Sequence, residues 1–249
     1  MDLRGRVGLV TGGAVRLGKA IALGLARAGA EVAITYSSSA DAAEETVSEI
    51  RALGQRALAV QADFSGDFRS DALVTKVVGE LGRLDVLVNS AAIFEPGNWD
   101  DTTEDSWDRH FAINLKAPFF LSQAFGRYIK GPEAEGETGR HAHIVNIADW
   151  RAVRPGTDHV AYTLAKAGLV TMTQSLALAL APEIQVNAVA PGIILPPPGA
   201  GAAFIERKAA LIPARRVGSP AEVVKAVLYL LDSDFVTGDM IYVTGGEHL

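Results

Sequence analysis

Short apolar runs that alternate with longer amphipathic stretches most constrain what this chain can fold into. Seven such runs, rich in β-branched residues, occur along the 249 residues, and helical apolar spacing fills most of the intervals. A nearly continuous apolar strand needs cover on both faces, which is typical of a parallel sheet between helices. The sequence therefore predicts an α/β fold, a doubly wound parallel sheet of seven strands in a single domain, 1–249.

The apolar pattern also gives approximate bounds for the elements. The predicted strands are 6–11, 31–36, 55–62, 85–91, 143–148, 184–190 and 240–246. The predicted helices are 17–29, 40–53, 67–81, 103–129, 160–180 and 220–231. Two segments break this rhythm. The polar, glycine-rich segment 131–142 is predicted to be a surface excursion. The irregular segment 194–216 follows a strand end, where such sheets bind ligands, and is predicted to be a substrate loop or lid.

Composition narrows the class of protein. Hydrophobic residues make up 49% of the chain and charged residues 21%, enough for a large core. The net charge of −6 argues against a partner with a phosphate backbone, so we expect no nucleic-acid binding. The absence of cysteine excludes disulfides, thiolate catalysis and cysteine metal sites. The N-terminus lacks a signal-peptide pattern, and the apolar stretch 167–182 is short and interrupted, so we expect a cytoplasmic protein with no membrane partner.

A glycine-rich stretch, TGGAVRLG (11–18), joins the first strand to the first helix. Glycines permit a tight turn, and the helix N-terminus offers free N–H groups to a pyrophosphate. Gly12 and Leu17 of this turn are therefore candidate cofactor-binding residues. Arg16 stands where a glycine is expected, although a cation at a helix start opposes the dipole. It is either a solvated side chain or is held by an anion or by an acceptor on a substrate.

The end of the second strand bears on the choice of cofactor. Tyr36 is followed by Ser37, Ser38 and Ser39 instead of the carboxylate that binds the ribose of NAD. Hydroxyls and helix N–H groups suit a 2′-phosphate, which favours NADP(H), although no arginine follows the strand. The alternative is that the serines merely cap the next helix, and the two roles are compatible.

Asp63 lies just past the third strand, next to Phe64. Its carboxylate can accept from an adenine amino group, so we place both residues among the cofactor-binding candidates. The alternative is that Asp63 caps the following helix.

The run NIADWRAVRPGTDHVAYTLAK (146–166) holds the strongest chemical pattern. Tyr162 and Lys166 are four residues apart and share one helix face. An ammonium beside a phenol favours the phenolate, which would make Tyr162 a usable acid or base near neutral pH. Asp149 ends the preceding apolar run. It either takes part in the chemistry or makes an Asx-type turn at the strand end.

In order along the chain, the glycine turn, Asp63, LVNSA (87–91), Asn114, Tyr162-x3-Lys166 and NAVAPG (187–192) resemble the short-chain dehydrogenase/reductase family. The resemblance covers the whole chain. It implies a Rossmann-type sheet, a nicotinamide cofactor, a small-molecule substrate and a homotetramer built on the two long helices.

The same resemblance implies roles for individual residues. Tyr162 would be the proton donor, Lys166 would tune it and hold the nicotinamide ribose, and Asn114 would join a proton relay. The remaining residues would line the cofactor: Asn89, Ser90, Ala91, Pro191, Gly192 and Ile194.

Three departures from the general family pattern are informative. Arg16 replaces the second glycine of the turn, Asp149 replaces the catalytic serine, and NSAAIF (89–94) places Phe94 after the fourth strand. All three resemble the pteridine reductase branch, including the dihydromonapterin reductases, in which an aromatic ring stacks on the pterin. Ordinary core packing is the alternative for Phe94. The predicted substrate-binding residues are Arg16, Phe94, Asp149, Tyr162 and Leu195.

Asp149 decides between the candidate reactions. Carbonyl reduction creates an oxyanion, which a hydroxyl stabilises and an ionised carboxylate repels. Hydride addition to the C=N bond of a pterin needs a proton on the neighbouring nitrogen, which a carboxylate can help to deliver. The sequence thus predicts an NADPH-dependent reductase of a dihydropterin or dihydrofolate, with no choice among the pterins. The alternatives are an NADP-dependent carbonyl reductase, for example of 3-oxoacyl thioesters, and a cofactor-binding protein without turnover. The five histidines show no metal spacing, so no metal is predicted.

Overall fold

All seven predicted strands join one parallel sheet. The computed structural model describes residues 1–131, 141–195 and 201–249. The sheet has the strand order β3-β2-β1-β4-β5-β6-β7, and every neighbouring pair is parallel. The strands are β1 (Val7–Val10), β2 (Glu31–Tyr36), β3 (Ala57–Gln61), β4 (Val86–Asn89), β5 (Ala142–Ile147), β6 (Ile184–Pro191) and β7 (Met240–Val243). The predicted fold class is confirmed: the chain forms a Rossmann-like α/β domain.

Helices cover both faces of this sheet. They are α1 (Arg16–Arg27), α2 (Ala40–Ala52), α3 (Ser70–Leu81), α4 (Glu104–Phe111), α5 (Ala117–Lys130), α6 (Val160–Leu180), α7 (Ala202–Ala209) and α8 (Pro220–Asp232). The predicted helix 103–129 is therefore interrupted, because a π-helical turn, Ala112–Lys116, separates α4 from α5. Such turns insert one residue into a helix and recur at functional sites.

The two irregular segments are described only in part, since residues 132–140 and 196–200 lie outside the described ranges. Ala142, assigned to the surface excursion 131–142, already belongs to β5. Segment 194–216 contains α7, which the sequence pattern did not predict. None of the described side chains of this short helix is buried, so it carries little of the apolar periodicity that marks the core helices.

Alternate residues of the central strands enter two hydrophobic cores. Val10 and Val88 point to the core beneath α1 and α8, whereas Leu9 and Leu87 point to the core beneath α3 and α5. This alternation follows from the two-residue period of a strand. The chain runs from β1 toward β2 and β3 on one side and returns to β4 on the other. The carboxyl ends of β1 and β4 therefore flank the crevice where open α/β sheets bind ligands.

Of the helices in the described ranges, α6 is the one long and apolar enough to cross a bilayer. Tyr162 and Lys166 are buried on it, and it lies against β6. It therefore packs as a core helix of this domain.

A buried carboxylate ties the start of the sheet together. Asp85, directly before β4, has no exposed side-chain surface, and it accepts from Val7 N at 3.0 Å. Arg83 Nη2 donates to it at 2.7 Å and Arg6 Nη1 at 3.2 Å. Loss of the carboxylate would remove one hydrogen-bond acceptor from the buried Val7 N–H and from the two partly buried arginines.

We expect Asp85→Ala to lower the free energy of unfolding by about 3 kcal/mol, the usual result of removing one partner of a buried ion pair. Urea unfolding would show this as a lower midpoint at unchanged slope. Asp2→Ala, which removes a carboxylate from an exposed pair with Arg4, is the matched control and should leave the midpoint unchanged. An equal shift in both variants would contradict the role given to Asp85.

Candidate active site

The turn after β1 has no room for a side chain at its glycine positions. Gly12 has φ +63°, and a Cβ on it would lie 2.9 Å from Ala91 Cα. A Cβ on Gly18 would lie 2.1 Å from the carbonyl oxygen of Gly12. Thr11 Oγ1 accepts from Ser90 N at 2.9 Å and from Ala91 N at 3.0 Å, which fixes the turn against the end of β4. The resulting bare backbone at the start of α1 fits the close approach of a pyrophosphate.

Arg16 is the first residue of α1 and has φ +51°, a left-handed conformation that non-glycine residues rarely adopt. Its side chain is exposed at the same edge of the sheet, so the solvated and ligand-held alternatives both stay open. The next residue, Leu17, is partly buried against the core and presents mainly backbone to the turn.

Exposed hydroxyls surround the end of β2. Tyr36 is half-buried, and Ser37, Ser38 and Ser39 are exposed. Ser39 is the N-cap residue of α2, but its side chain makes no capping hydrogen bond. No side-chain hydrogen bond of Ser39 supports the capping alternative. The binding of a 2′-phosphate by these exposed hydroxyls stays a prediction.

Asp63 Oδ1 accepts from Ser65 N at 2.9 Å and from Ser65 Oγ at 2.6 Å. The N-cap residue of α3 is Arg69, so the alternative that Asp63 caps this helix is wrong. The ring of Phe64 is buried and packs edge-on against Phe68 at 4.7 Å. Phe64 can therefore offer a cofactor only its backbone.

An unsatisfied acceptor marks the end of β4. Asn89 Nδ2 donates to Asn146 Oδ1 at 2.8 Å, whereas Asn89 Oδ1 is buried without a hydrogen-bond partner in the described chain. Such a group calls for a polar ligand atom or water. Together with the glycine turn, it supports the fit of a dinucleotide along this crevice.

The end of β6 supplies backbone to the same edge. Pro191 is the last residue of β6, and Gly192 N donates to Val243 O at 3.0 Å. The side chains of Ile194 and Leu195 pack into the core and against it. Ile194 thus offers its backbone, and the contact of the partly buried Leu195 with a substrate stays a prediction.

Asp149 and Tyr162 are directly hydrogen-bonded. Tyr162 Oη donates to Asp149 Oδ2 at 2.8 Å. Asp149 Oδ1 accepts from Arg151 N at 2.8 Å and so begins a 3₁₀ turn, Trp150–Ala152. One carboxylate oxygen therefore makes the Asx-type turn, and the other accepts from the phenol. The part of Asp149 in the chemistry stays a prediction.

The expected effect of Lys166 on Tyr162 is wrong. Lys166 Nζ donates to Ile147 O at 2.6 Å and lies 5.8 Å from the Tyr162 ring centroid. Burial, and then the charge and hydrogen bond of Asp149, raise the pKa of Tyr162 well above its ordinary value. Burial lowers the pKa of the Lys166 ammonium to about 8, against the attraction of Asp149. Tyr162 therefore stays protonated at neutral pH, which suits a proton donor and not a phenolate base.

Asn114 lies in the π-helical turn and is fully buried. Its Oδ1 accepts from Ile93 N at 3.0 Å, and its Nδ2 donates to Ile93 O at 3.0 Å. Asn114 thus holds the segment after β4. Its part in a proton relay stays a prediction.

Phe94 lies beside Tyr162 and outside the core, so the core-packing alternative is wrong. The residue is 52% exposed, and its ring meets that of Tyr162 edge-on at 4.7 Å. It stacks on the imidazole of His159 at 3.9 Å with an angle of 4° between the planes. A flat aromatic surface is therefore present next to the phenol.

Two charged residues near this centre were not predicted. Arg151 Nη1 pairs with Asp158 at 2.8 Å, and its guanidinium carbon lies 5.9 Å from the Phe94 centroid. Glu247 Oε2 accepts from Ile193 N at 3.1 Å, and burial raises the pKa of its carboxyl group, with a further contribution from Asp149. Arg151 is two residues past Asp149, which is a usable signal. Nothing in the sequence marks Glu247, because only the fold brings the C-terminus to this site.

Comparison with known proteins agrees with this architecture. A family model described as enoyl-(acyl carrier protein) reductase matches residues 13–248. The (2S)-[(R)-hydroxy(phenyl)methyl]succinyl-CoA dehydrogenase subunit BbsD of Thauera aromatica is 37% identical, covering 100% of this chain and 99% of its own. The FolM alternative dihydrofolate reductase 1 of Brucella canis, crystallised with NADP, is 35% identical with a TM-score of 0.89, covering 100% of this chain and 96% of its own.

A short chain dehydrogenase of Burkholderia cenocepacia J2315, also in complex with NADP, is 34% identical with a TM-score of 0.89 and full coverage of both chains, 100% and 100%. This chain therefore belongs to the short-chain dehydrogenase/reductase family. It is an NAD(P)-dependent oxidoreductase, and the NADP in these solved relatives agrees with the NADP(H) expected from its sequence.

The hydrogen bond between Tyr162 and Asp149 makes a spectroscopic prediction. Burial and then the charge of Asp149 raise the pKa of Tyr162. Asp149→Asn removes the second cause, so this pKa should fall part of the way toward its ordinary value. Absorbance at the phenolate band during an alkaline titration measures it, with Tyr162→Phe subtracted to isolate this one tyrosine. An unchanged pKa would mean that Asp149 is not ionised beside the phenol.

Proposed function

We propose that this protein is an NADPH-dependent reductase that transfers hydride to the C=N bond of a dihydropterin or dihydrofolate. The single observation that carries this proposal is the hydrogen bond between Tyr162 Oη and Asp149 Oδ2, 2.8 Å long. It puts a carboxylate beside the proton donor, at the position where the general family has a neutral serine.

The sign of the charge that develops on the substrate separates the reactions. A carbonyl oxygen gains negative charge during hydride addition, and a carboxylate 4 Å away would oppose it by roughly 4 kcal/mol near a protein surface. A ring imine that is protonated before hydride arrives is a cation, which the same carboxylate stabilises. Asp149 thus favours imine reduction through the electrostatics of the transition state.

The other side chains have compatible roles. Bound NADPH supplies the hydride. Tyr162 keeps its proton at neutral pH and can pass it, with Asp149, to the ring nitrogen next to the reduced carbon. Lys166, fixed to Ile147 O, places a positive charge behind the phenol and offsets that of Asp149.

A planar substrate has a surface to stack on. Phe94 presents an exposed ring at the edge of Tyr162, and an offset stack of a pterin on such a ring is favourable. Arg16, at the start of α1, is exposed at the same edge of the sheet and can serve a cofactor phosphate or a carbonyl on the substrate. The relative from Brucella canis, named an alternative dihydrofolate reductase, supports the same substrate class.

A carbonyl reductase is the second candidate, because the relative from Thauera aromatica is named a dehydrogenase of a hydroxyacyl thioester. In that reaction Asp149 would have to be protonated or turned away from the substrate. Its contacts with Tyr162 and Arg151 oppose the second condition.

We also propose that the enzyme is a cytoplasmic homotetramer. Large apolar side chains on the outer faces of α5 and α6 support an assembly through these helices: Phe119, Phe120, Leu164 and Leu178 are exposed.

Initial rates of NADPH oxidation with 7,8-dihydropterins, dihydrofolate and an acetoacetyl thioester test the proposal. We expect turnover of the pterins and little of the thioester. Asp149→Ser should reduce pterin turnover by about 100-fold, the usual size of a lost acid–base contribution, and raise thioester turnover. Turnover of the thioester alone, or a variant that keeps its pterin rate, would overturn the role given to Asp149.

Cofactor preference is tested at the end of β2. Ser37→Asp introduces the carboxylate that binds the ribose hydroxyls of NADH and repels a 2′-phosphate. The ratio of kcat/KM for NADPH to that for NADH should fall by at least about tenfold, equivalent to ~1.4 kcal/mol. Ser48→Asp, which adds the same charge at an exposed position of α2, is the control and should leave the ratio closer to wild type.

A further inference from the structure

Side chains from α4 and the π-helical turn hydrogen-bond to the backbone on both sides of Phe94. Asn114 makes two hydrogen bonds to Ile93, the residue before it. His110 Nε2 accepts from the N–H of Glu95, the residue after it, at 3.3 Å. Arg109 Nη2 pairs with the Glu95 carboxylate at 2.7 Å. The two residues that flank Phe94 are thus held by α4 and the turn that follows it.

The tautomer of His110 follows from the partners of its two ring nitrogens. Nδ1 lies 2.7 Å from Ser106 O, an acceptor, so Nδ1 carries the proton. Nε2 faces the N–H of Glu95, a donor, so Nε2 is bare. The ring is 1% exposed, and its centroid lies 6.5 Å from that of Tyr162. A neutral imidazole with one defined tautomer satisfies both groups, and no step of the proposed reaction uses it.

The helix geometry explains why His110 and Asn114 contact neighbouring residues of the same segment. His110 is in the last turn of α4, and Asn114 is four residues later in the π-helical turn. Residues four apart lie one above the other on a helix face. The two side chains therefore reach neighbouring positions of the same extended segment, and between them only Phe94 presents an exposed ring.

We propose that His110 is a positioning residue that fixes Phe94 for the planar ring of the substrate. It acts through the Glu95 N–H, and this role rests on the proposed function. Without the imidazole acceptor, a part-buried N–H is left unpaired, which favours a shift of the segment toward water. The Phe94 ring then loses its fixed place beside Tyr162, while the glycine turn and the Asn89 end of the crevice are untouched.

His110→Leu and His110→Gln form the test pair, because glutamine can again offer an acceptor where Nε2 lies and leucine cannot. His141→Leu is the control. His141 is exposed and precedes β5, at the amino ends of the strands and away from the site. The measurements are kcat and KM for a 7,8-dihydropterin, the Kd for NADPH by fluorescence titration, and hydrogen exchange of the Glu95 amide.

We expect His110→Leu to raise the pterin KM by about tenfold with a smaller change in kcat, as for the loss of one buried hydrogen-bond partner. The Kd for NADPH should stay at its wild-type value, and the Glu95 amide should exchange faster. His110→Gln should restore most of both the KM and the protection. A KM that rises together with the Kd for NADPH, or unchanged Glu95 exchange, would overturn the positioning role.

Amide exchange needs no substrate, so the hydrogen bond between His110 and the Glu95 amide is tested even if the wild-type protein reduces no pterin. A wild-type protein that reduces no pterin but protects the Glu95 amide normally would contradict the proposed function alone. The two failures are therefore distinguishable.

Discussion

The hydrogen bond between Tyr162 and Asp149 is the interaction on which the rest of the site depends. It joins the end of β5 to the first turn of α6 across a buried position. A phenol held by a carboxylate cannot ionise easily, since ionisation would place two negative charges in contact. Lys166, which donates to the Ile147 carbonyl, does not reverse this, and the pKa of Tyr162 stays well above its ordinary value. The site therefore holds a proton, a carboxylate and a cation in fixed order.

The register of the parallel sheet brings these groups together. Asn89 at the end of β4 pairs with Asn146 near the end of β5, so the segments that leave the two strands begin at the same level. Phe94 comes from the first segment and Asp149 from the second. The α6 helix then returns Tyr162 between them, and Val160 N at its start donates to Gly97 O at 2.8 Å. No single element builds the site, which explains why its residues are distant in sequence.

Features that depend on local periodicity could be predicted from the sequence. The seven strands, the covering helices and the shared face of Tyr162 and Lys166 all follow from apolar spacing of two or nearly four residues. Features that depend on distances between elements could not. Residues 112–116 contain no proline or glycine that would mark the π-helical turn at Asn114. The rise in the pKa of Tyr162 depends on its burial and on its contact with Asp149. The approach of Glu247 depends on the fold of the last residues.

The comparison with relatives gains meaning from this local chemistry. Proteins named dehydrogenases and a protein named a dihydrofolate reductase share similar identity with this chain, 37% and 35%, over its full length. Overall similarity cannot rank the two reactions, because one fold hosts many chemistries and the residues of the site decide between them. The charge beside Tyr162 can rank them. A neutral donor there stabilises an oxyanion, and a carboxylate stabilises a cation, so one side chain at the end of β5 reverses the sign of the charge that the site favours.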